Sequence, residues 1–171
     1  MNKVLALASL IYIPFIGQAQ TQAYFQQRVD HEIKVELDDV NHELNAEIKT
    51  IYTNNSPEAL GEIWMHLWPN AYSSGKTALA RQQYRNGNLL LYYAYGKALG
   101  GIDDLDFKVN GDAVQWEYDL ENPDIAVIHL NSPLQPGESL EIHTPFTVRI
   151  PSGKISRMGH IGQSYQITQW Y

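Results

Sequence analysis

The chain has 171 residues, a length that favours one domain, and 44% of its residues are hydrophobic, which is enough for a core. Its 19 Asp and Glu residues outnumber its 12 Lys and Arg residues, and the formal net charge is −7. With this balance we expect no nucleic-acid partner. The chain has no cysteine, which excludes disulfides, iron–sulfur clusters and thiolate-bound zinc within it.

The first 19 residues have the pattern of a secretory signal peptide. Lys3 supplies the positive start, residues 4–16 are mostly apolar, and Gly17-Gln18-Ala19 fits the small-x-small pattern of a cleavage site. A membrane anchor is the alternative interpretation, but residues 4–16 are too few to span a bilayer comfortably. We therefore expect a mature chain that begins at Gln20, is exported to the periplasm or the cell exterior, and has no membrane partner after cleavage.

Alternating polar and apolar residues predict two long strands near the start of the mature chain. They cover residues 25–37 and 40–53, with Asp38-Asp39 as a polar turn between them. The second strand has one apolar and one charged face, so we expect an antiparallel hairpin with one solvated face. The residues expected on its apolar face are Leu44, Ala46, Ile48, Thr50 and Tyr52.

Residues 63–68 are nearly apolar on both faces of the predicted strand. One face would carry Ile, Met and Leu, and the other would carry two Trp and one His. We expect such a strand in the middle of a sheet with both faces covered, which makes His66 the histidine expected to be most buried. Pro69 cannot donate a hydrogen bond to a neighbouring strand, so the strand should end there.

The composition changes in residues 71–100. Residues 76–84 favour a short helix, and an aromatic run follows at Tyr92, Tyr93 and Tyr95. We interpret the segment as a long insertion with one or two short helices. An insertion of this length is either functional or a plain cover for the sheet, and the sequence leaves both open.

Short strands with regular turn signals follow the insertion. Asn110-Gly111 is the strongest hairpin signal in the chain, and Pro145 within a long strand at residues 139–150 suggests an edge or a bulge. Residues 151–162 are expected to form a loop. This pattern predicts an all-β fold, an antiparallel β-sandwich with a short helical insertion around residues 71–100. The remaining strands are predicted at residues 102–109, 113–118, 125–130 and 163–171.

The motifs that resemble catalytic sites are incomplete. Two segments begin like the zinc motif His-Glu-x-x-His, at His31 and His42, but Val35 and Ala46 stand where the second histidine is required. Both segments alternate as strands, which send neighbouring side chains to opposite faces. The sequence therefore predicts no catalytic residue and no metal ligand in this chain.

Five stretches together carry a resemblance to a known family. They are Tyr24-Phe25-Gln26-Gln27-Arg28-Val29-Asp30, Tyr52-Thr53-Asn54-Asn55-Ser56-Pro57, Ile63-Trp64-Met65-His66-Leu67-Trp68-Pro69-Asn70-Ala71-Tyr72, Pro136-Gly137-Glu138, and Ser156-Arg157-Met158-Gly159 through Gln169-Trp170-Tyr171. They resemble the N-terminal β domain of the aminopeptidase-N family of zinc metallopeptidases, in its exported bacterial branch. The similarity covers essentially the whole mature chain, and the third and last stretches are its most distinctive parts.

The resemblance implies a curved, saddle-like β domain that packs on a thermolysin-like catalytic domain. Residues 20–171 would then be a fragment truncated before that domain, which also agrees with a predicted apolar strand at the chain's last residues. The chain itself would hold no cofactor and would not act alone as an enzyme, because zinc belongs to the missing domain. The implied partners are that C-terminal domain and a peptide substrate, which the parent enzyme would hydrolyse as an aminopeptidase.

The resemblance also implies two substrate-binding residues, Gln169 and Tyr171. Family members carry Gln-x-Glu or Gln-x-Gln near the end of this domain, and the glutamate binds the substrate's free amino terminus by a charge-assisted bond. Gln169 matches the glutamine, and Tyr171 occupies the glutamate's position. A neutral phenol cannot pair with an ammonium group in the same way, which puts strict aminopeptidase specificity in doubt. The alternative is that both are ordinary strand residues at a domain edge.

A second hypothesis comes from a different class of protein. The chain would be a stand-alone exported β-sandwich module that binds peptide or carbohydrate through the aromatic residues at 84–95. The gene sequence beyond Tyr171 distinguishes the two hypotheses. A reading frame that continues to His-Glu-x-x-His on a predicted helix favours the metallopeptidase domain, and a stop codon directly after Tyr171 favours the module.

Overall fold

The computed structural model describes residues 24–171, so the predicted signal peptide at residues 1–19 lies outside the described part. The fold is all-β with antiparallel sheets and one short α-helix, as the sequence predicts. No helix in the described part is long and apolar enough to cross a membrane. The elements are β1 (Arg28–Asp38), β2 (Glu43–Thr53), β3 (Leu60–His66), α1 (Ala78–Arg85), β4 (Gly101–Asp103), β5 (Lys108–Val109), β6 (Asp112–Ala113), β7 (Gln115–Tyr118), β8 (Ile125–Leu134), β9 (Ser139–Arg149), β10 (Gly159–Ile161) and β11 (Ser164–Gln166).

The larger sheet has six strands in the order β1-β2-β9-β5-β6, and β4 also pairs with β9. β1 and β2 form the predicted hairpin and pair along their whole length. The predicted apolar face of β2 is confirmed, since Leu44, Ile48 and Thr50 are buried. The opposite face is solvated and carries cross-strand ion pairs such as Lys34 Nζ to Glu47 Oε1 at 2.8 Å.

A three-stranded sheet in the order β3-β8-β7 packs over part of the larger sheet. One core joins the two sheets, because buried residues of both belong to a single contiguous apolar cluster. Ile63 and Ile128 contribute from the smaller sheet, and Ile142 and Val148 contribute from β9. The architecture is the predicted sandwich, with sheets of unequal width.

Two of the predicted turns are present in the structure. Asn110 (φ 52°) and Gly111 (φ 89°) are both left-handed and connect β5 to β6, as a two-residue hairpin turn requires. The turn after β1 is stabilised by Asp38, whose Oδ1 accepts hydrogen bonds from the backbone N–H groups of Val40 and Asn41, both at 2.9 Å. The predicted strand at residues 40–53 therefore begins later, at Glu43.

The prediction that residues 63–68 lie in the middle of a sheet is wrong. β3 is an edge strand whose only strand partner in the described chain is β8. Its inner face is covered, but Trp64 is 57% exposed on the outer face and His66 is exposed, so His66 is not a buried histidine. The outer aromatic rings cover one another instead, with His66 and Trp68 stacked at a centroid distance of 4.3 Å.

The prediction of an edge position for Pro145 is also wrong. β9 is a central strand with β2 on one side and β4 and β5 on the other. Pro145 is tolerated because no strand pairs with it on the β4 and β5 side of β9. On that side β5 pairs with His143 and β4 pairs from Thr147 onward, which leaves a gap at the proline. The chain leaves the sheet between β4 and β5 through Asp104, which has a φ of 61°.

The predicted last strand at residues 163–171 is only partly present. A small hairpin of β10 and β11 occupies residues 159–166, and β10 lies within the predicted loop at 151–162. After Gln166 the chain is no longer a strand, and Gln169 has a left-handed φ of 52° that turns the backbone. The terminal residues therefore cross the sandwich instead of extending a sheet.

The insertion at residues 71–100 contains the predicted helix as α1. Thr77 caps its N-terminus, because Thr77 Oγ1 accepts a hydrogen bond from the backbone N–H of Ala80 at 3.2 Å. A small second cluster of the buried residues Ala80, Leu91 and Ile155 anchors the insertion to the loop after β9. The insertion is thus a packed unit of the fold.

Asn54, in one of the stretches that carry the family resemblance, joins three loops at the end of β2. Its side chain is fully buried, and its Nδ2 donates to the carbonyls of Glu58 at 2.8 Å and Leu134 at 3.0 Å. Its Oδ1 accepts from the backbone N–H of Ser56 at 2.9 Å. The buried amide of Asn54 therefore stabilises these loops by satisfying their backbone hydrogen-bonding groups.

Candidate functional site

The inner face of the larger sheet extends beyond the smaller sheet. The register of β1 against β2 places Val29, Val35 and Leu37 on the same face as the buried residues of β2. These three side chains are 41%, 49% and 42% exposed, whereas Ile33, between them on the same face of β1, is half-buried and packs against the core. An apolar column on the core-facing side of the sheet is therefore in contact with solvent.

The terminal residues cross this face. The ring of Trp170 lies over Phe146 of β9, with centroids 6.2 Å apart. Tyr171 meets the imidazole of His31 on β1 edge to face at 5.7 Å. His31 is positioned in turn by a 2.9 Å hydrogen bond between its Nδ1 and Thr50 Oγ1 on β2. Side-chain packing thus holds the terminal phenol over the first two strands.

Tyr171 lines a cleft of about 260 Å³ between the larger sheet and the edge strand β3. The floor is apolar, and the polar groups that reach the cleft include His31, Thr50 and Tyr171. Burial raises the pKa of the Tyr52 phenol above its ordinary value, because a buried site disfavours the charged form. The lining residues are Val29, His31, Ile48, Thr50, Tyr52, Ile63, Trp64, Met65, His66, Leu67, Trp68, Ile102, Leu105, Phe107, Thr144, Phe146 and Tyr171.

Gln169 and Tyr171, the two predicted substrate-binding residues, lie in different environments. Tyr171 is part of the cleft, whereas Gln169 is not among the cleft's lining residues. Gln169 is exposed, and its Oε1 accepts a hydrogen bond from Arg157 Nη2 at 3.4 Å. The left-handed backbone at Gln169 separates the two side chains, which a continuous strand would have placed on one face. Their role in substrate binding stays a prediction.

The sequence analysis missed the aromatic rim of this cleft. Trp64 and Trp68 are on its exposed side, and Trp64 Nε1 donates to Glu62 Oε1 at 2.7 Å. The sequence does contain a sign that this face is solvated. Glu62 is on the same face of the strand as Trp64 and His66, whereas the opposite face carries Ile, Met and Leu. A face that contains a charged residue is typical of a solvated surface.

The histidines do not fit a zinc site. Within residues 24–171 no three His, Asp or Glu side chains are grouped so that they could hold a metal ion. His42 Nδ1 is 2.6 Å from Tyr165 Oη, and its ring stacks on His160 at 3.7 Å. The two near-matches to His-Glu-x-x-His begin at His31 within β1 and at His42 directly before β2. The zinc motif requires its two histidines one helical turn apart, and neither segment is a helix.

The aromatic residues of the insertion are exposed but do not form a flat platform. Tyr84 and Tyr92 have centroids 4.9 Å apart with planes at 43°. Tyr92 and Tyr93 meet edge to face at 5.0 Å and 86°. Tyr95 is 84% exposed and is the most open of the set. The rings therefore offer separate edges and faces to a partner.

No protein-family model matches this chain. No curated protein matches it either.

Among solved structures, the chain is similar to crystal structures of mutant M1 zinc metallopeptidases. One, from Deinococcus radiodurans, is 14% identical with a TM-score of 0.41, and the match covers 73% of this chain and 20% of that chain. A second, from the same organism and bound to a Tyr-Ser-Ala substrate, is 13% identical with a TM-score of 0.43, covering 78% and 24%. A third, a two-domain M1 zinc metallopeptidase mutant bound to L-arginine, is 15% identical with a TM-score of 0.41, covering 73% and 20%. This chain spans about a fifth to a quarter of the length of these structures.

Proposed function

We propose that this chain is the non-catalytic N-terminal β domain of an exported zinc metallopeptidase, where it forms one wall of the substrate cleft. The parent enzyme would hydrolyse peptides as an aminopeptidase, with its zinc and its catalytic base in a C-terminal domain. The proposal starts from the sequence resemblance, which is most distinctive at residues 63–72 and 156–171.

The observation that carries the proposal is the uncovered apolar face of the larger sheet. A sheet stabilises a fold by burying its apolar face against another layer. Here the column at Val29, Val35 and Leu37 has no covering layer within residues 24–171. A second domain packed on this side would bury that column and would place the cleft at the domain interface, where binding sites are commonly found.

In this proposal Tyr171 is the residue nearest to the peptide substrate. Its phenol can accept and donate a hydrogen bond, and the apolar cleft beside it can take an uncharged side chain. Gln169, which is held toward Arg157, would contribute from the rim. Neither group supplies the carboxylate that would favour a free amino terminus.

Amide hydrogen exchange can test whether a second domain covers this face. The exchange rates of β1 are compared between the chain ending at Tyr171 and the complete product of the gene read beyond it. We expect slower exchange along β1 in the longer protein, because a packed domain opposes fraying of an edge strand. Equal rates in β1, with the core strand β9 as the internal reference, would contradict the proposal.

A second candidate is a stand-alone exported β-sandwich module that binds peptide or carbohydrate through residues 84–95. The exposure of Tyr93 (67%) and Tyr95 favours it. Its weakness for carbohydrate is the geometry of the rings, because a sugar ring stacks best on an accessible flat face and Tyr92 and Tyr93 are nearly perpendicular. A stop codon directly after Tyr171 would favour this candidate over the first.

A further inference from the structure

The insertion at residues 71–100 differs in charge from the rest of the protein. It contains four of the 12 Lys and Arg residues, at positions 76, 81, 85 and 97, and none of the 19 Asp and Glu residues. The remainder of the chain is therefore even more acidic than the net charge of −7 indicates. A local basic surface on an acidic protein orients it toward anionic partners.

The four cations of the insertion are unpaired. None is within salt-bridge distance of a carboxylate in residues 24–171, whereas Arg28, Lys34, Lys49 and Lys108 outside the insertion each have an acidic partner. Arg81 Nη1 donates instead to the backbone carbonyl of Lys76 at 2.6 Å. Arg81 and Arg85 are four residues apart on α1, so these two cations lie on the same face of the helix. Their charges remain available to a partner.

The same segment exposes aliphatic and aromatic side chains on a fixed loop. Leu91 is fully buried in the cluster with Ala80, and this anchors the chain on either side of it. Leu89 and Leu90, directly before this anchor, are 42% and 53% exposed. A backbone hydrogen bond from the Tyr93 N–H to the Leu89 carbonyl at 3.1 Å closes the loop. The exposed leucines are therefore presented by a closed turn.

We propose that residues 76–97 form a peripheral contact surface for an anionic lipid bilayer. Leu89 and Leu90 enter the headgroup region, the tyrosines lie at its boundary, and the cations at positions 81, 85 and 97 meet lipid phosphates. Tyrosine is favoured at membrane interfaces because its ring is apolar and its hydroxyl is hydrated. The acidic remainder of the protein is repelled by the same surface, which orients the insertion toward the membrane.

The leucines distinguish a bilayer from other anionic partners. A soluble polyanion such as an acidic polysaccharide would use the cations and would gain little from two exposed aliphatic side chains. A bilayer interface uses both, since apolar burial and attraction to anionic lipids act together in peripheral binding. The expectation of no membrane partner after cleavage concerned a membrane anchor at residues 4–16, and a surface contact needs no such anchor.

Vesicle co-sedimentation tests the proposal with the chain from Gln20, which keeps every described residue and omits the apolar segment at 4–16. The probes are vesicles of phosphatidylglycerol mixed equally with phosphatidylcholine, and vesicles of phosphatidylcholine alone. We expect binding to the anionic vesicles, weakened by raised salt, and little binding to the neutral ones. Arg85→Gln should weaken binding roughly five-fold, and Leu89→Ser with Leu90→Ser should weaken it by a similar factor.

Matched controls lie outside the insertion. Lys34→Gln removes an exposed cation on the solvated face of β1 and Leu120→Ser removes a fully exposed leucine, and neither should change binding. Circular dichroism of each variant verifies the fold. The proposal is overturned if the protein does not bind anionic vesicles, or if the controls weaken binding as much as the insertion variants do. It is also overturned if the leucine variant binds normally while heparin competes fully, because that result identifies a soluble polyanion as the partner.

Discussion

The ring of Tyr171 contacts the ring of His31 edge to face, with centroids 5.7 Å apart and planes at 68°. This contact joins the last residue to the first strand, across the part of the larger sheet that the smaller sheet leaves open. Because His31 is itself hydrogen-bonded to Thr50, the phenol is held by a chain of specific contacts. The cleft therefore has a defined polar group at one end of an apolar floor.

Restoring a carboxylate at this position should restore selectivity for free amino termini. In the complete gene product, Tyr171→Glu is expected to raise kcat/KM for an aminoacyl substrate roughly ten-fold relative to its N-acetylated analogue, because a carboxylate pairs with an ammonium group. Tyr171→Gln is the matched neutral control. An equal change in kcat/KM for both substrates would show that this position does not read the amino terminus.

Removal of the Asn54 side chain should destabilise the fold. Asn54→Ala leaves the carbonyl of Leu134 without its side-chain donor and the carbonyl of Glu58 with Ser56 Oγ as its remaining donor, and each unmade buried hydrogen bond costs about 1–3 kcal/mol. We expect the free energy of unfolding, measured by urea denaturation, to fall by at least about 2 kcal/mol. Asn55→Ala, at an exposed position of the same turn, should cost less than about 1 kcal/mol. Equal losses would contradict the structural role of Asn54.

The uncovered column on β1 should make the isolated chain self-associate. Exposed apolar area of this kind is usually an interaction surface, and with no other domain packed on it we expect it to pair with other copies of the chain. Static light scattering of the chain from Gln20 should show concentration-dependent association that Val35→Lys reduces. Asn45→Lys makes the same charge change on the solvated face of the same sheet, and it should leave the association unchanged. If the chain stays monomeric at all concentrations, the exposed column on β1 is not an interaction surface and does not support a covering domain.

Acid should weaken the turn between β1 and β2. Hydrogen bonds from the backbone and side chain of Asn41 hold the pKa of Asp38 below its usual value. The ionised carboxylate therefore contributes stability that is present above the ordinary carboxyl pKa and is lost as the pH falls through the lowered value. Thermal unfolding should show Asp38→Asn to be less stable than the unmodified chain at pH 6, with a smaller difference at pH 3. A constant difference would exclude this contribution.

The sequence predicted those elements of the fold that depend on residues close together in the chain. The β1–β2 hairpin follows from strict alternation, and the β5–β6 turn follows from two residues that tolerate left-handed backbone. The position of β3 at an edge could not be predicted in this way, because alternation shows which faces of a strand are covered and not which strands pair alongside it. Pro145 in a central strand depends on an interruption in its neighbour, which is a property of the whole sheet.

The candidate site was predictable only in part. The family resemblance predicts a substrate-binding role for Tyr171, which stays a prediction, and Tyr171 lines the cleft. The separation of Gln169 from that cleft results from a left-handed backbone at a glutamine, for which the sequence has no signal such as Gly or Asn. The partner of Tyr171 on β1 is distant in sequence, so only tertiary packing brings the two rings together.

The proposed function makes this chain one wall of a peptidase whose zinc and catalytic base lie in another domain. It can be tested by the turnover of an aminoacyl chromogenic substrate with added zinc, by the chain from Gln20 to Tyr171 and by the complete gene product. We expect no turnover above the blank for the shorter chain and zinc-dependent turnover, abolished by a chelator, for the complete product. Zinc-dependent hydrolysis by the shorter chain alone would contradict it.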